Sequence, residues 1–237
     1  MKIINTANYE EMSRAVADLI LEEVRSNPKT VLGLATGSTP LGAYSLLANA
    51  YKSGAADFSG VVSVNLDEYC GLAPDNHQSY RYFMDKNLFS HINIDRANTH
   101  VPDGTALNPE AEAERYEKLI ESLGGIDLQL LGLGHNGHVA FIEPGDEFPA
   151  KTRHVYLDEQ TIKANSRFFE RHEDIPESAI SIGIKAIMGA EKIILAVSGN
   201  DKANILKKSL YGAITPQVPA SVLQLHNNLT IITDCLG

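Results

Sequence analysis

Four apolar runs of strand length, Thr30–Ala35, Val61–Leu66, Ile126–Leu131 and Lys192–Val197, each end directly in a cluster of glycine and polar residues, with segments of helical spacing between them. Strands that alternate with helices need right-handed crossovers, and a sheet built that way is mostly parallel with both faces covered. The chain is therefore expected to be α/β. It should form a single domain over residues 1–237, an open, mostly parallel twisted sheet flanked by helices in a Rossmann-like, modified doubly wound arrangement. With 43% hydrophobic residues in 237, a core of that size can be buried. In such sheets ligands bind outside the carboxyl ends of the strands. Four polar clusters fall there: Thr36–Thr39, Asp67-Glu68, Gly134–Glu143 and Ser198–Lys202.

Between these marks the chain reads as follows. Met1–Thr6 suits a short strand, and Asn8–Arg25 a helix with Met12, Val16, Leu19, Ile20 and Val24 on one side. Pro40 suits the first turn of a helix over Leu41–Lys52. Helices are also expected around Tyr80–Leu88, over Glu110–Leu123, over Thr161–Phe169 and after Ser198. Val155–Leu157 is a brief strand, Ala179–Ile184 fits strand or helix, and Leu229–Thr233 is a strand that closes the sheet.

Composition narrows the function. Thirty acidic against twenty basic side chains give a net charge of −10, which disfavours a nucleic-acid partner and requires any anion to be met by local donors. No window of about eighteen apolar residues marks a membrane span, and no basic-then-apolar leader marks export, so the expected location is cytoplasmic. Cys70 and Cys235 have neither disulfide nor zinc-ribbon spacing.

The densest cluster of chemistry is Gly132–Gly145, G-L-G-H-N-G-H-V-A-F-I-E-P-G. Its first glycines fit G-x-G-x-x-G, with Asp158 about twenty residues on, but that fingerprint needs a full helix opening at the last glycine. Pro144 and Gly145 would stop one within two turns, so a dinucleotide is not expected. His138 is the natural proton shuttle, because an imidazole titrates near neutrality, and Glu143 could orient it. His135 and His138 lie near Glu143, yet the H-E-x-x-H register and cysteine ligands are absent, so no metal is expected. Asp67 leaves an apolar strand, where partial desolvation makes a carboxylate a better base. Glu68 competes for that role but should point to the opposite side of the strand. Gly37, Ser38 and Thr39 open a helix and so form a phosphate cradle without the lysine of a P-loop, while Arg167 and Lys202 could add positive charge. With no G-x-S-x-G elbow and no zinc-deaminase signature, what remains is proton traffic: isomerisation or enolisation of a small phosphorylated carbohydrate.

Read together, L-A-T-G-S-T-P at Leu34–Pro40, N-L-D-E-Y at Asn65–Tyr69, G-H-N-G-H-V-A-F-I-E-P-G at Gly134–Gly145 and A-N-S-R-F-F at Ala164–Phe169 resemble the glucosamine-6-phosphate deaminases, in order over nearly the whole chain. The resemblance implies a cofactor-free conversion of glucosamine 6-phosphate and water to fructose 6-phosphate and ammonia, in amino-sugar catabolism. It implies that His138, supported by Asn136 and Glu143, accepts the proton in ring opening, and that Asp67 moves the C2 proton to C1. Gly37, Ser38, Thr39, Arg167 and Lys202 would hold the phosphate. The chain departs from many relatives in having Asn136 for aspartate and Ile142 for the asparagine before the glutamate, which puts the hydrogen bonding there in question. It also ends at Gly237, short of longer hexameric relatives, and has Val155 where they carry an activator-binding lysine. No amino-sugar allostery is expected, and a monomer is allowed. Two rivals stand beside this reading: a 6-phosphogluconolactonase-like hydrolase, and a sugar-phosphate sensor without turnover.

Overall fold

The computed structural model describes residues 1–157 and 175–235. Ten strands lie among them: β1 (Lys2–Asn5), β2 (Val31–Leu34), β3 (Val62–Asn65), β4 (Asp67–Tyr69), β5 (Thr99–His100), β6 (Leu128–Leu131), β7 (Arg153–Tyr156), β8 (Ser178–Ser181), β9 (Lys192–Val197) and β10 (Leu229–Thr233). Six α-helices accompany them: α1 (Tyr9–Ser26), α2 (Leu41–Lys52), α3 (Tyr80–Asn87), α4 (Pro109–Ser122), α5 (Ile184–Met188) and α6 (Ala203–Tyr211). The helix expected over Thr161–Phe169, and with it Arg167, lies outside the described residues.

Seven strands form one sheet in the order β1-β10-β9-β6-β2-β3-β5, and every pair in it is parallel. From β2 the chain moves outward through β3 to β5, then returns to place β6 on the other side of β2. That reversal opens a crevice at the carboxyl ends of β2 and β6, where a doubly wound sheet binds its ligand. Residue alternation explains why the strands are apolar throughout. Leu32, Leu34, Leu128, Leu130 and Ile194 pack against α1, α2 and α3, while Val31, Leu131, Ile193, Leu195 and Val197 pack against α4, α5 and α6. Helix starts follow their caps: Asn8 Oδ1 accepts from Glu11 N, and Asn108 Oδ1 from Ala111 N.

Asp67-Glu68-Tyr69 is a strand of a second sheet, β4-β8-β7, which is antiparallel. The ambiguous stretch at Ala179 resolves into β8 followed by the short α5. Leu229–Thr233 does not close the main sheet, because β1 pairs along its outer side. The second sheet matters for function: it takes the chain as it leaves β3 and holds Asp67 opposite Ser181.

Candidate active site

A cavity of about 290 Å³ opens at the crevice and is lined from all four polar clusters by Gly37, Ser38, Thr39, Asp67, His138 and Lys202. Tyr80, Phe141 and Ala140 complete its walls. Sequence patterns did not mark Tyr80, which reaches the cavity because Glu68 holds the start of α3, as described below.

The loop after β2 is shaped by its surroundings. The Tyr44 hydroxyl donates to Ala35 O at 2.5 Å, fixing the strand exit, and Gly37 sits at φ 92°, a conformation that favours glycine. Pro40 caps α2 without a side-chain hydrogen bond. Among the described residues, the N–H groups of Gly37, Ser38 and Thr39 have no protein acceptor. Free amide donors at a helix start that line a cavity form a seat for an anion.

The two acidic neighbours on β4 have diverged in environment. Glu68 is 2% exposed and accepts from the backbone N–H groups of Tyr69 (2.9 Å), Tyr80 (2.9 Å) and Arg81 (2.8 Å), tying β4 to the first turn of α3. Burial pushes its carboxyl up, and those donors oppose the push. Asp67 points the other way into the cavity, with no protein hydrogen bond among the described residues, although only 6% of it is exposed. Burial, and after it the charge of Glu68, raise its carboxyl to about 8. Glu68 is a fixed structural acceptor, whereas Asp67 is an unengaged carboxylate with a strong affinity for a proton.

The loop after β6 does not become a helix at Gly137. It closes on itself through Gly137 N to Gly134 O and Gly134 N to His138 O, both 3.0 Å, and then through a Val139–Ile142 bridge, with Ala140 at φ 51°. Asn136 Nδ2 donates to Glu143 Oε2 at 2.5 Å, and Asn136 Oδ1 accepts from His138 N at 3.1 Å. His138 Nδ1 lies 3.1 Å from Glu143 Oε1, within ion-pair range but out of line for a hydrogen bond. The three side chains thus form one group, with Asn136 and Glu143 behind an imidazole that faces the cavity. Ile142 is 2% exposed and belongs to the hydrophobic core, so the missing polar group at that position leaves no gap in the cavity wall.

The imidazole lies flat over Gly134, where a Cβ would come within 2.4 Å of the ring. Gly134→Ala is therefore expected to keep the fold, since a side-chain ring can swing aside, while displacing the imidazole; for a proton shuttle at this position an ångström of misplacement should lower kcat by up to about a hundredfold. Circular dichroism and steady-state rates on the same preparation check both halves of this statement.

Lys202 ends a 3₁₀ turn (Asn200–Lys202) after β9. Burial lowers its pKa, opposed by the adjacent Asp201. Asp201 is drawn aside by His135, whose Nε2 lies 2.7 Å from Asp201 Oδ2, so the two histidines of the loop turn to separate carboxylates. No group of three or more metal-ligating side chains occurs among the described residues.

An anion seat, a free carboxylate of raised pKa and a buttressed imidazole around one cavity are equipped to move protons on a small phosphorylated molecule. Comparisons with known proteins agree with that scale of ligand. The family model described as glucosamine-6-phosphate isomerases/6-phosphogluconolactonase matches residues 5–232. The chain is 57% identical over 232 residues to a glucosamine-6-phosphate deaminase of Lachnoclostridium phytofermentans, covering 98% of each. It is 51% identical over 234 residues to one of Clostridium perfringens, covering 99% of this chain and 97% of the other. Among solved structures, a monomeric glucosamine-6-phosphate deaminase superposes with a TM-score of 0.95 at 41% identity, covering 98% of this chain and 97% of that one. A 6-phosphogluconolactonase from Trypanosoma cruzi superposes at 0.78 with 21% identity, a likeness of fold alone.

Proposed function

The chain belongs to the glucosamine-6-phosphate isomerase and 6-phosphogluconolactonase family, and from the cavity of this structure we propose how it acts. It is a glucosamine-6-phosphate deaminase, converting glucosamine 6-phosphate and water to fructose 6-phosphate and ammonia. The phosphate sits on the free amides of Gly37, Ser38 and Thr39, facing Lys202. His138, backed by Asn136 and Glu143, accepts the anomeric hydroxyl proton as the C1–O5 bond of the pyranose breaks and passes it to O5, giving the open-chain aldehyde. Asp67 removes the proton from C2 and returns it to C1, while the C2 nitrogen gives up one proton and O1 gains one, leaving an imine at C2 and a hydroxymethyl group at C1. Water adds to the imine carbon and ammonia departs, giving the ketose. Every step is a proton transfer, an acid–base-assisted C–O or C–N cleavage, or an addition of water, chemistry that a carboxylate and an imidazole carry without an electron acceptor.

The observation that carries this reading is that Asp67, rather than Glu68, stands free in the cavity that His138 also faces. The test is direct: purified protein should release ammonia from glucosamine 6-phosphate in a coupled assay, and 6-phosphogluconolactone hydrolysis without ammonia would overturn it. We further propose that the chain works as a monomer without amino-sugar activation. The same assay should then give a hyperbolic rate curve that N-acetylglucosamine 6-phosphate leaves unchanged. No helix among the described residues is long and apolar enough to cross a membrane.

A further inference from the structure

Tyr9 is the first residue of α1 and does not line the cavity, yet it touches the anion seat from behind. Its hydroxyl accepts from Gly42 N at 2.8 Å and donates to Ser38 O at 3.0 Å. A phenol has one proton, and the Gly42 N–H must point at the oxygen, so that proton is directed at the Ser38 carbonyl. The contact is built in from both sides. Asn8 caps α1 just before Tyr9, fixing the ring's origin, and a Cβ on Gly42 would meet Ser13 Oγ at 2.3 Å and Tyr9 Cε1 at 3.2 Å. Glycine is what allows α1 to approach α2 this closely.

We propose that Tyr9 is a positioning residue for phosphate binding: by holding the Ser38 carbonyl on the outer side of the loop, its hydroxyl keeps the Thr39 N–H turned toward the cavity. The Ser38–Thr39 peptide is trans, so its carbonyl and N–H point in opposite directions. With the carbonyl fastened toward Tyr9, the N–H faces away from Tyr9, toward the space that Thr39 lines. If that peptide turned over, a carbonyl oxygen would face the phosphate in place of a donor, and attraction would become repulsion. Tyr9 thus acts on the phosphate only through Ser38 and Gly42, from outside the site.

This inference rests on the reading of Gly37–Thr39 as the phosphate seat, so it is tested beside a variant that probes the seat itself. Tyr9→Phe keeps the ring and deletes the hydroxyl. It should raise KM for glucosamine 6-phosphate about five- to tenfold, the scale of one lost hydrogen bond to a charged group's seat, while kcat stays within about twofold. Inorganic phosphate, used as a competitive inhibitor, should lose affinity by the same factor. All rates are taken at a temperature where circular dichroism shows each variant fully folded. Lys202→Met should raise both KM and the phosphate inhibition constant. Should Lys202→Met do so and Tyr9→Phe leave both unchanged, the peptide lock is overturned and the seat stands. Should neither variant move them, the seat is misplaced and the lock falls with it. A fall in kcat with KM unchanged in Tyr9→Phe would also overturn the lock, since it would mark a general structural role.

Discussion

Asp67→Asn should lower kcat by about 10²- to 10⁴-fold, the range a positioned general base contributes, with KM and inhibition by inorganic phosphate nearly unchanged. The amide matches the carboxylate in shape and leaves the phosphate seat untouched, so the loss falls on proton transfer alone. The pH dependence sharpens the test. Only the ionised carboxylate can take the C2 proton, and burial with the neighbouring Glu68 holds the Asp67 carboxyl at about 8 in the free enzyme. The wild-type kcat/KM should therefore climb with pH up to about 8, falling roughly tenfold per unit below it, and the residual rate of Asp67→Asn should lack that limb. Stability should move in the opposite sense. Because the folded state raises this carboxyl above its ordinary value, its contribution to stability is complete at low pH and is lost as pH rises to about 8. Asp67→Asn should accordingly melt higher than the wild type at neutral pH and above, the signature of a site that holds a strained group for its chemistry. Unchanged turnover would place the enolising base elsewhere.

How Asp67 comes to be free shows where sequence reading works and where it stops. The parallel sheet was legible because its central strands β2, β6 and β9 are apolar on both faces, and α1 and α4 because their apolar residues recur at helical spacing. Strand alternation through Asp67-Glu68 also anticipated that the two carboxylates would part. What could not be read was the pairing that sustains the alternation: a strand was expected at Val155–Leu157 and allowed at Ala179–Ile184, but that β4 pairs with β8 and β8 with β7 in a sheet of their own is a long-range fact with no local signal. The same holds for Tyr80, which reaches the cavity because a glutamate twelve positions earlier accepts its N–H. Ile142 illustrates the converse. Beside Glu143 it looked like a lost polar contact, but the turn at Ala140, φ 51°, reverses the chain and sends its side chain into the core.

His138→Gln carries the second large effect and separates ring opening from enolisation. Glutamine can keep a hydrogen bond near the Asn136–Glu143 group but cannot take up a proton near neutral pH, so acceptance of the anomeric proton is lost while the loop keeps its backbone closure. With glucosamine 6-phosphate, which enters as a pyranose, kcat should fall about 10²-fold or more, on the scale of one general-base contribution. With an analogue lacking both the 4- and 5-hydroxyls, which can close neither to a furanose nor to a pyranose, the first step is bypassed and the loss should shrink to about tenfold or less, because only the surroundings of Asp67 have then been perturbed. Asp67→Asn should show the reverse, failing equally with both substrates, since C2 must lose its proton either way. Equal losses for His138→Gln with the two substrates would assign the imidazole to a later step, such as delivering water to the imine.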